Sequence, residues 1–322
     1  MSAIDWLLES DEPAVRYLTR RDLLGEDALG DAAHILDGPK VKALFAGQQA
    51  DGGFGYHPYT KFGGAHWRLV SLVELAVPAG EPRALAALET VFDWLTSPGR
   101  ARSLVVINSL VRRCASMEGN ALAVASRLGC ALDPRAEQLA RSLVEWQWPD
   151  GGWNCDKKAS GRSSSFHESL PAMWGLHEYA AATRADWAAE ASARAAEMYL
   201  EHHLFRSLRT GRVLKDQWLS PRQPPYWHYD ILQGLLILSR MGRAADPRAL
   251  DALEVLESLR DRDDRWAARG YWWKLGDGKA NTDVVDWGRG GPNELLTLNA
   301  LRVFASVESA APPPLVGGPV ST

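Results

Sequence analysis

The sequence predicts an all-α protein built from a repeated helix pair, and three observations carry that expectation. No segment of the 322 residues sustains the alternation of a half-buried strand, while apolar residues return at helical spacing along most of the chain. Helix, short turn, helix and long loop recur with a period of about fifty residues, the mark of stacked supersecondary units. Two turns of one design, Gln48 to Phe54 and Gln147 to Trp153, place Asp-Gly-Gly-aromatic behind a glutamine at a helix end.

Taken in order, Asp11 or Ser10 is expected to cap a first helix with Pro13 in its first turn, continued by Val15, Leu18, Asp22 and Leu23. Lys40 to Gln49 is amphipathic and stops at Asp51-Gly52-Gly53-Phe54-Gly55, where consecutive glycines supply positive φ. Helix pairs are expected from Ala65 to Ala76 and Pro82 to Leu95, from Glu118 to Leu128 and Pro134 to Gln147, and from Phe166 to Ala182 and Ala185 to His203. A further pair runs from Trp227 to Met241 and Pro247 to Leu259, and Pro292 to Val307 closes the series. His66 and His167 fall at equivalent points about two periods apart. Residues 1–309 read as one domain, and 310–322, rich in Pro and Gly, as a disordered tail. An open solenoid and a closed ring both fit such repeats. Six candidate inner helices, starting near Pro13, Ala65, Glu118, Phe166, Trp227 and Pro292, and long Trp-rich loops resembling a pocket rim favour the ring, an (α/α)6 toroid.

Composition narrows the class. With 46% apolar and 24% charged residues the chain can bury a sizeable core. Apolar runs such as Leu104 to Ile107 fall far short of the roughly 20 residues that span a bilayer. The start, Met1-Ser2-Ala3-Ile4-Asp5-Trp6, lacks the basic stretch and apolar core of a signal peptide, so a cytoplasmic location and no membrane span are expected. Cys114, Cys130 and Cys155 are an odd count without clustered spacing, which points to reduced thiols. A net charge of −4 leaves no electrostatic footprint for nucleic acid. Fourteen tryptophans suit a deep cavity as well as a core.

The turns Gln48-Gln49-Ala50-Asp51-Gly52-Gly53-Phe54 and Gln147-Trp148-Pro149-Asp150-Gly151-Gly152-Trp153 resemble the Gln-to-Trp repeat of squalene and oxidosqualene cyclases, shared in weaker form with protein prenyltransferase β-subunits. The resemblance implies a toroid whose pocket opens where the inner helices begin, and a structural role for the repeat, with the Gln amide satisfying backbone groups at a helix end. Those cyclases have two domains and apolar membrane-facing patches; this chain is closer to single-toroid, squalene-cyclase-like bacterial proteins. Asp261-Arg262-Asp263-Asp264 matches the Asp-x-Asp-Asp run of the cyclases, which would make Asp263 the proton donor. Here Arg265-Trp266 follows where the family has Thr-Ala, the run occupies the place of an Asp-Gly-Gly-Trp turn, and Arg260, Arg262 and Arg265 would depress its acidity, so a solvated charge run is the expectation. The prenyltransferases bind zinc through Asp, Cys and His, and the stretch from Asp156 to His167 is similar to the one that supplies their His. Only His167 carries over by position; Cys155, Asp156 and His167 are the candidate zinc ligands, with Cys155 as a small buried thiol the plainer reading.

Superposing the units on their apolar pattern brings His66, Glu118, His167, His228, and Asn293 with Glu294, to first turns of inner helices, which in a ring share one mouth. Glu168 and Asp230 lie beside them, and imidazole next to carboxylate suits acid–base work near pH 7. A histidine at such a place is more often a cap than a ligand, but three in register favour a functional rim. Trp67, Trp174, Tyr226 and Trp227 would shape the cavity, and Ser163 to Ser165 with Lys157, Lys158 and Arg162 would favour an anionic group at the helix start. Pro171 either frees the carbonyl of His167 or moves the helix start to Ser169. Three functions compete. The first is an enzyme acting on a small, partly apolar, terpenoid-like molecule by acid–base cyclisation or isomerisation, with His167, His228, Glu168, Asp230 and Glu118 as catalytic candidates and His66, the four aromatic residues, Arg162 and Glu294 around the substrate. The second is a zinc-dependent transferase or hydrolase, and the third a non-catalytic binding or scaffold protein.

Overall fold

The computed structural model describes residues 1–271 and 283–310, so the tail expected to be disordered lies outside the described residues apart from its first position. The chain is mostly helical. Its helices are α1 (Ala3–Leu8), α2 (Pro13–Thr19), α3 (Leu29–Ala32), α4 (Pro39–Phe45), α5 (Ala65–Glu74), α6 (Pro82–Leu95), α7 (Pro98–Arg102), α8 (Ala115–Arg127), α9 (Pro134–Trp146), α10 (Phe166–Thr183), α11 (Asp186–Glu201), α12 (Ile231–Arg240), α13 (Leu250–Ser258) and α14 (Glu294–Ala310). Among the described residues the one sheet is a ribbon of β1 (Val106–Ile107) and β2 (Leu110–Val111). No described helix is long and apolar enough to cross a membrane.

Several helix starts differ from expectation by about a turn, each for a local reason. Neither Ser10 nor Asp11 caps α2; Glu12 takes that place, and its carboxylate accepts the Lys40 N–H at 2.8 Å, tying α2 to α4. Helix α8 begins at Ala115, ahead of Glu118. Helix α12 begins at Ile231 and not near Trp227, because Asp230 accepts the Gln233 N–H at 3.0 Å and Tyr226, at φ 51°, cannot extend the helix backward. Pro171 sits inside α10, which starts at Phe166, so the His167 carbonyl receives no bond from residue 171.

The repeated turns are one structure used three times. Gln48 Nε2 donates to the carbonyls of Gly52 and Arg83 at 2.9 and 2.7 Å, and Gln147 Nε2 to those of Gly151 and Ala191 at 2.7 and 2.8 Å. Each amide thereby joins its turn to a following helix, α6 or α11. The backbone bonds Gln49 N–H to Gly53 and Trp148 N–H to Gly152 recur as Asp261 N–H to Arg265. Trp153 and Trp266 both donate their indole N–H back into the preceding helix, to Leu143 and Leu256, at 2.8 Å. Gly151 stands at φ 91° with an added Cβ meeting Arg194 O at 2.4 Å, and Asp264 takes the matching left-handed place at φ 59°. Asp263 is an exposed residue of that third turn.

The first helix of each pair packs on the first helix of the next: α5 on α8, α8 on α10, α10 on α12, α12 on α14, and α14 on α2. Helices α4 and α6 flank α5, while α9, α11 and α13 lie against α8, α10 and α12. The α8–α10 contact is the most extensive, and two glycines explain it. A Cβ on Gly119 would lie 2.4 Å from Pro171 O and Ala172 N, and one on Gly175 would lie 2.3 Å from Gly119 O, so the two backbones touch.

The far ends of these helices are joined by charge. Arg127 (α8) reaches Glu74 (α5) at 3.1 Å and Glu178 (α10) at 2.7 Å, Arg240 (α12) reaches Glu74 at 2.7 Å, and Arg302 (α14) pairs with Asp22, which follows α2. Burial opposes ionisation of Glu74, yet Arg240 and Arg127 hold its carboxyl down to about 2.

Two predictions follow from these contacts. By helix propensity Gly119→Ala would stabilise α8 by about 1 kcal/mol, but the backbone approach makes it destabilising by about 2 kcal/mol or more; Gly30→Ala, where nothing lies within 4 Å, should be neutral or stabilising. Thermal melts of both variants check the contrast. Because the Glu74 pKa is depressed on folding, its ion pairs stabilise the protein fully above its ordinary pKa near 4.5, and that contribution, about 3 kcal/mol at most, is lost as pH falls toward 2. Urea unfolding against pH should show Glu74→Gln less stable at pH 7, with a shallower acid limb below pH 4.5.

Candidate functional site

A cavity opens among α5, α8, α10, α12 and α14 and the loop that leads into α12. Trp174 and Pro171 of α10 form one wall, Tyr226 and Trp227 another, and Glu74 with Arg240 lies at its boundary with a second cavity on the far side. His167 and His228 both line it, with ring centroids 6.2 Å apart and planes nearly perpendicular. Trp227 stacks on His228 at 3.9 Å and meets His167 edge-on at 5.5 Å.

The backbone fixes the two imidazoles in opposite tautomers. His167 Nδ1 accepts the Tyr229 N–H at 2.8 Å, which leaves the ring proton on Nε2. His228 Nδ1 lies 3.3 Å from the Pro225 carbonyl, an acceptor only, so this nitrogen carries the proton and Nε2 is the base. Burial, then Lys215, pulls the His167 pKa to about 4; burial, then His167, pulls that of His228 to about 3. Both rings are neutral near pH 7.

Two further cavity residues carry buried donors without a hydrogen-bond partner among the described residues, Asn120 Nδ2 and Trp227 Nε1. An unmade buried donor costs about 1–3 kcal/mol, which a ligand acceptor would recover. Sequence reasoning passed over Asn120, Asn299, Gln233, Glu74 and Arg240. Asn120 had a signal, an amide in the otherwise small and apolar run from Gly119 to Ala125.

The other expected site residues are dispersed. His66 is not among the residues lining this cavity; it is 2% exposed, packed edge-on against Trp67 at 4.8 Å, and its Nε2 has no partner among the described residues. Superposition of helices placed its backbone, but Tyr59, Trp67 and Trp94 enclose its ring. Burial, then Arg100, lowers its pKa to about 3. Trp67 belongs to a separate aromatic cluster with Phe62 and Tyr226. Glu118 is spent in a buried pairing, both oxygens on Arg100 at 2.8–2.9 Å and one also on Arg113 at 3.3 Å. Asp230 is raised to about 7 by burial, but it serves as the α12 cap and also accepts the Arg222 N–H at 3.1 Å. None of these carboxylates orients an imidazole. Arg162 is exposed, and Glu294 is half-buried at the start of α14.

The candidate zinc set is not assembled. Asp156 is exposed and accepts the Lys158 N–H at 3.0 Å in its own turn, and His167 Nδ1 is taken by Tyr229. Cys155 instead lies with Cys114 and Glu168, whose sulfur and oxygen atoms fall within 4.8 Å of one another. Comparison with protein-family models, with curated proteins and with solved structures finds no match to this chain.

Proposed function

We propose that the chain is an (α/α)6 toroid of the squalene-cyclase-like and prenyltransferase β-subunit-like kind, and an enzyme that transfers protons on a small, partly apolar molecule held in its central cavity. Ring closure is supported by α14 packing on α2, and by Arg240 of α12 reaching Glu74 of α5 between helices that are not sequence neighbours. An apolar substrate body is supported by the walls of Trp174, Trp227, Pro171 and Leu170, and a polar oxygen on it by the unpartnered donors of Asn120 and Trp227.

The observation that carries the chemistry is the tautomer pair. His167 offers a neutral Nε2–H that can polarise a carbonyl or hydroxyl oxygen, while the Nε2 of His228, a weak base because burial depresses its pKa, takes a proton only from a neighbouring carbon that this polarisation has acidified, and returns it elsewhere. A neutral imidazole is a weak acid, so isomerisation, or cyclisation begun by deprotonation, fits better than cyclisation begun by a strong acid. Glu74, the carboxylate among the described lining residues, is held ionised by two arginines and cannot act as that acid.

Native mass spectrometry of the purified protein should reveal a co-purifying, oxygen-bearing apolar ligand. With that compound as substrate, His228→Ala and His167→Ala should each lower turnover about 10²–10⁴-fold, and Asp263→Asn should leave it unchanged. Bound ligand with wild-type turnover in both histidine variants would refute the acid–base assignment, as would dependence on Asp263. A ligand that is bound and never converted would leave a binding protein.

A further inference from the structure

Outside the cavity, two loops meet above the starts of α8 and α10. Arg112 and Asn154 form a parallel bridge, and the Arg113 N–H donates to the Asn154 carbonyl at 3.3 Å. Three side chains fasten the same loops: Trp148 Nε1 to Val111 O at 2.8 Å, Asn108 Nδ2 to Ala159 O at 2.9 Å, and Arg112 Nη2 to Gly161 O at 2.9 Å. The bridge sets Cys114, at the cap of α8, beside Cys155, although they are far apart in sequence. Glu168, in the first turn of α10, completes the group: its Oε1 accepts from Cys155 Sγ at 3.3 Å and its Oε2 from the Ser116 N–H at 3.0 Å.

We propose that Cys114, Cys155 and Glu168 form a binding site for a thiophilic divalent cation, zinc before others. Two sulfurs and one carboxylate oxygen within 4.8 Å of each other can close on one ion, and sulfur with a single hard oxygen is a donor set that selects zinc over magnesium or calcium. The ligands are held in advance, two by the stitched loops and the third by the Ser116 N–H, which orients the carboxylate as outer partners of metal ligands do. Binding displaces the protons of both thiols to solvent, leaves Glu168 ionised, and gives the ion three protein ligands with a fourth position for water or a small ligand. The inference is independent of the acid–base reading, since it uses neither His167 nor His228. It also differs from the set expected from sequence, sharing with it Cys155 alone.

The test is metal binding by the full chain. Protein purified without chelator should carry about one zinc per chain, and metal-free, reduced protein titrated with Co²⁺ should develop the near-ultraviolet thiolate-to-cobalt bands and the visible bands of a tetrahedral site. Cys114→Ser and Cys155→Ser should abolish the ultraviolet bands, Glu168→Gln should weaken binding at least about tenfold, and Cys130→Ser should change nothing, with circular dichroism showing each variant folded. Should the serine variants fail to fold, alkylation of the wild-type chain replaces them: zinc should protect Cys114 and Cys155 from iodoacetamide and leave Cys130 reactive. A folded, reduced wild-type chain that shows no cobalt bands and no zinc protection overturns the proposal, and so does a cobalt spectrum unaltered in Cys114→Ser and Cys155→Ser.

Discussion

Glu74 is the side chain through which helices remote in sequence hold one another. It takes Arg127 from the neighbouring α8 and Arg240 from α12, and Arg127 carries the linkage on to Glu178 of α10. Charges of alternating sign thus run across the ends of four helices, while Arg302 and Asp22 join α14 to the turn after α2. Each member is partly buried, and a lone charge there would cost several kcal/mol, so the network holds only when the helices are together. The same residues separate the two cavities: Glu74 and Arg240 border both. Trp174 braces this boundary, donating its indole N–H to Glu178 at 2.8 Å with Arg127 and Arg240 near its ring face.

Much of the architecture is legible in the sequence because it is written in local chemistry. The glutamine turns announce themselves through Asp-Gly-Gly-aromatic, and even the third, which lacks both glycines, shows an aspartate at the left-handed position, a conformation that Asp tolerates better than most residues. Start errors at α8 and α12 arise where no cap is readable before the helix, as with Cys114, or where the true cap, Asp230, follows a plausible apolar start at Trp227. What sequence conceals is contact between units. Glu74, Arg127 and Arg240 each end a helix and read singly as ordinary terminal charges; only packing pairs them. Gly119 and Gly175 read as weak helix residues until the opposite backbone arrives.

The candidate site divides the same way. His167 and His228 reach one cavity although they come by different routes, one from a first helical turn and the other from the loop before α12. Equivalence of position was not enough for His66, because position fixes a backbone and neighbouring rings fix where the imidazole goes. Cys114 was invisible as a partner of Cys155, since their meeting depends on one bridge between Arg112 and Asn154 that no local pattern encodes.

The electrostatics of the cavity constrain what it can hold. Asn120, Trp227 and His167 contribute N–H donors, and the guanidinium of Arg240 is neutralised by Glu74, so the polar features offered to a ligand are mainly donors without net charge. A cationic ligand would gain from the faces of Trp174 and Trp227 but would confront these donors, while a fully charged anion would face desolvation, since the one cation among the described lining residues, Arg240, is already paired. A neutral molecule with one oxygen function at the histidine end and an apolar body along Trp174, Pro171 and Leu170 avoids both costs. If the proposed proton transfer holds, such a ligand would place its acceptor by the His167 N–H and its adjacent carbon by His228, so binding and proton transfer would ask for one orientation.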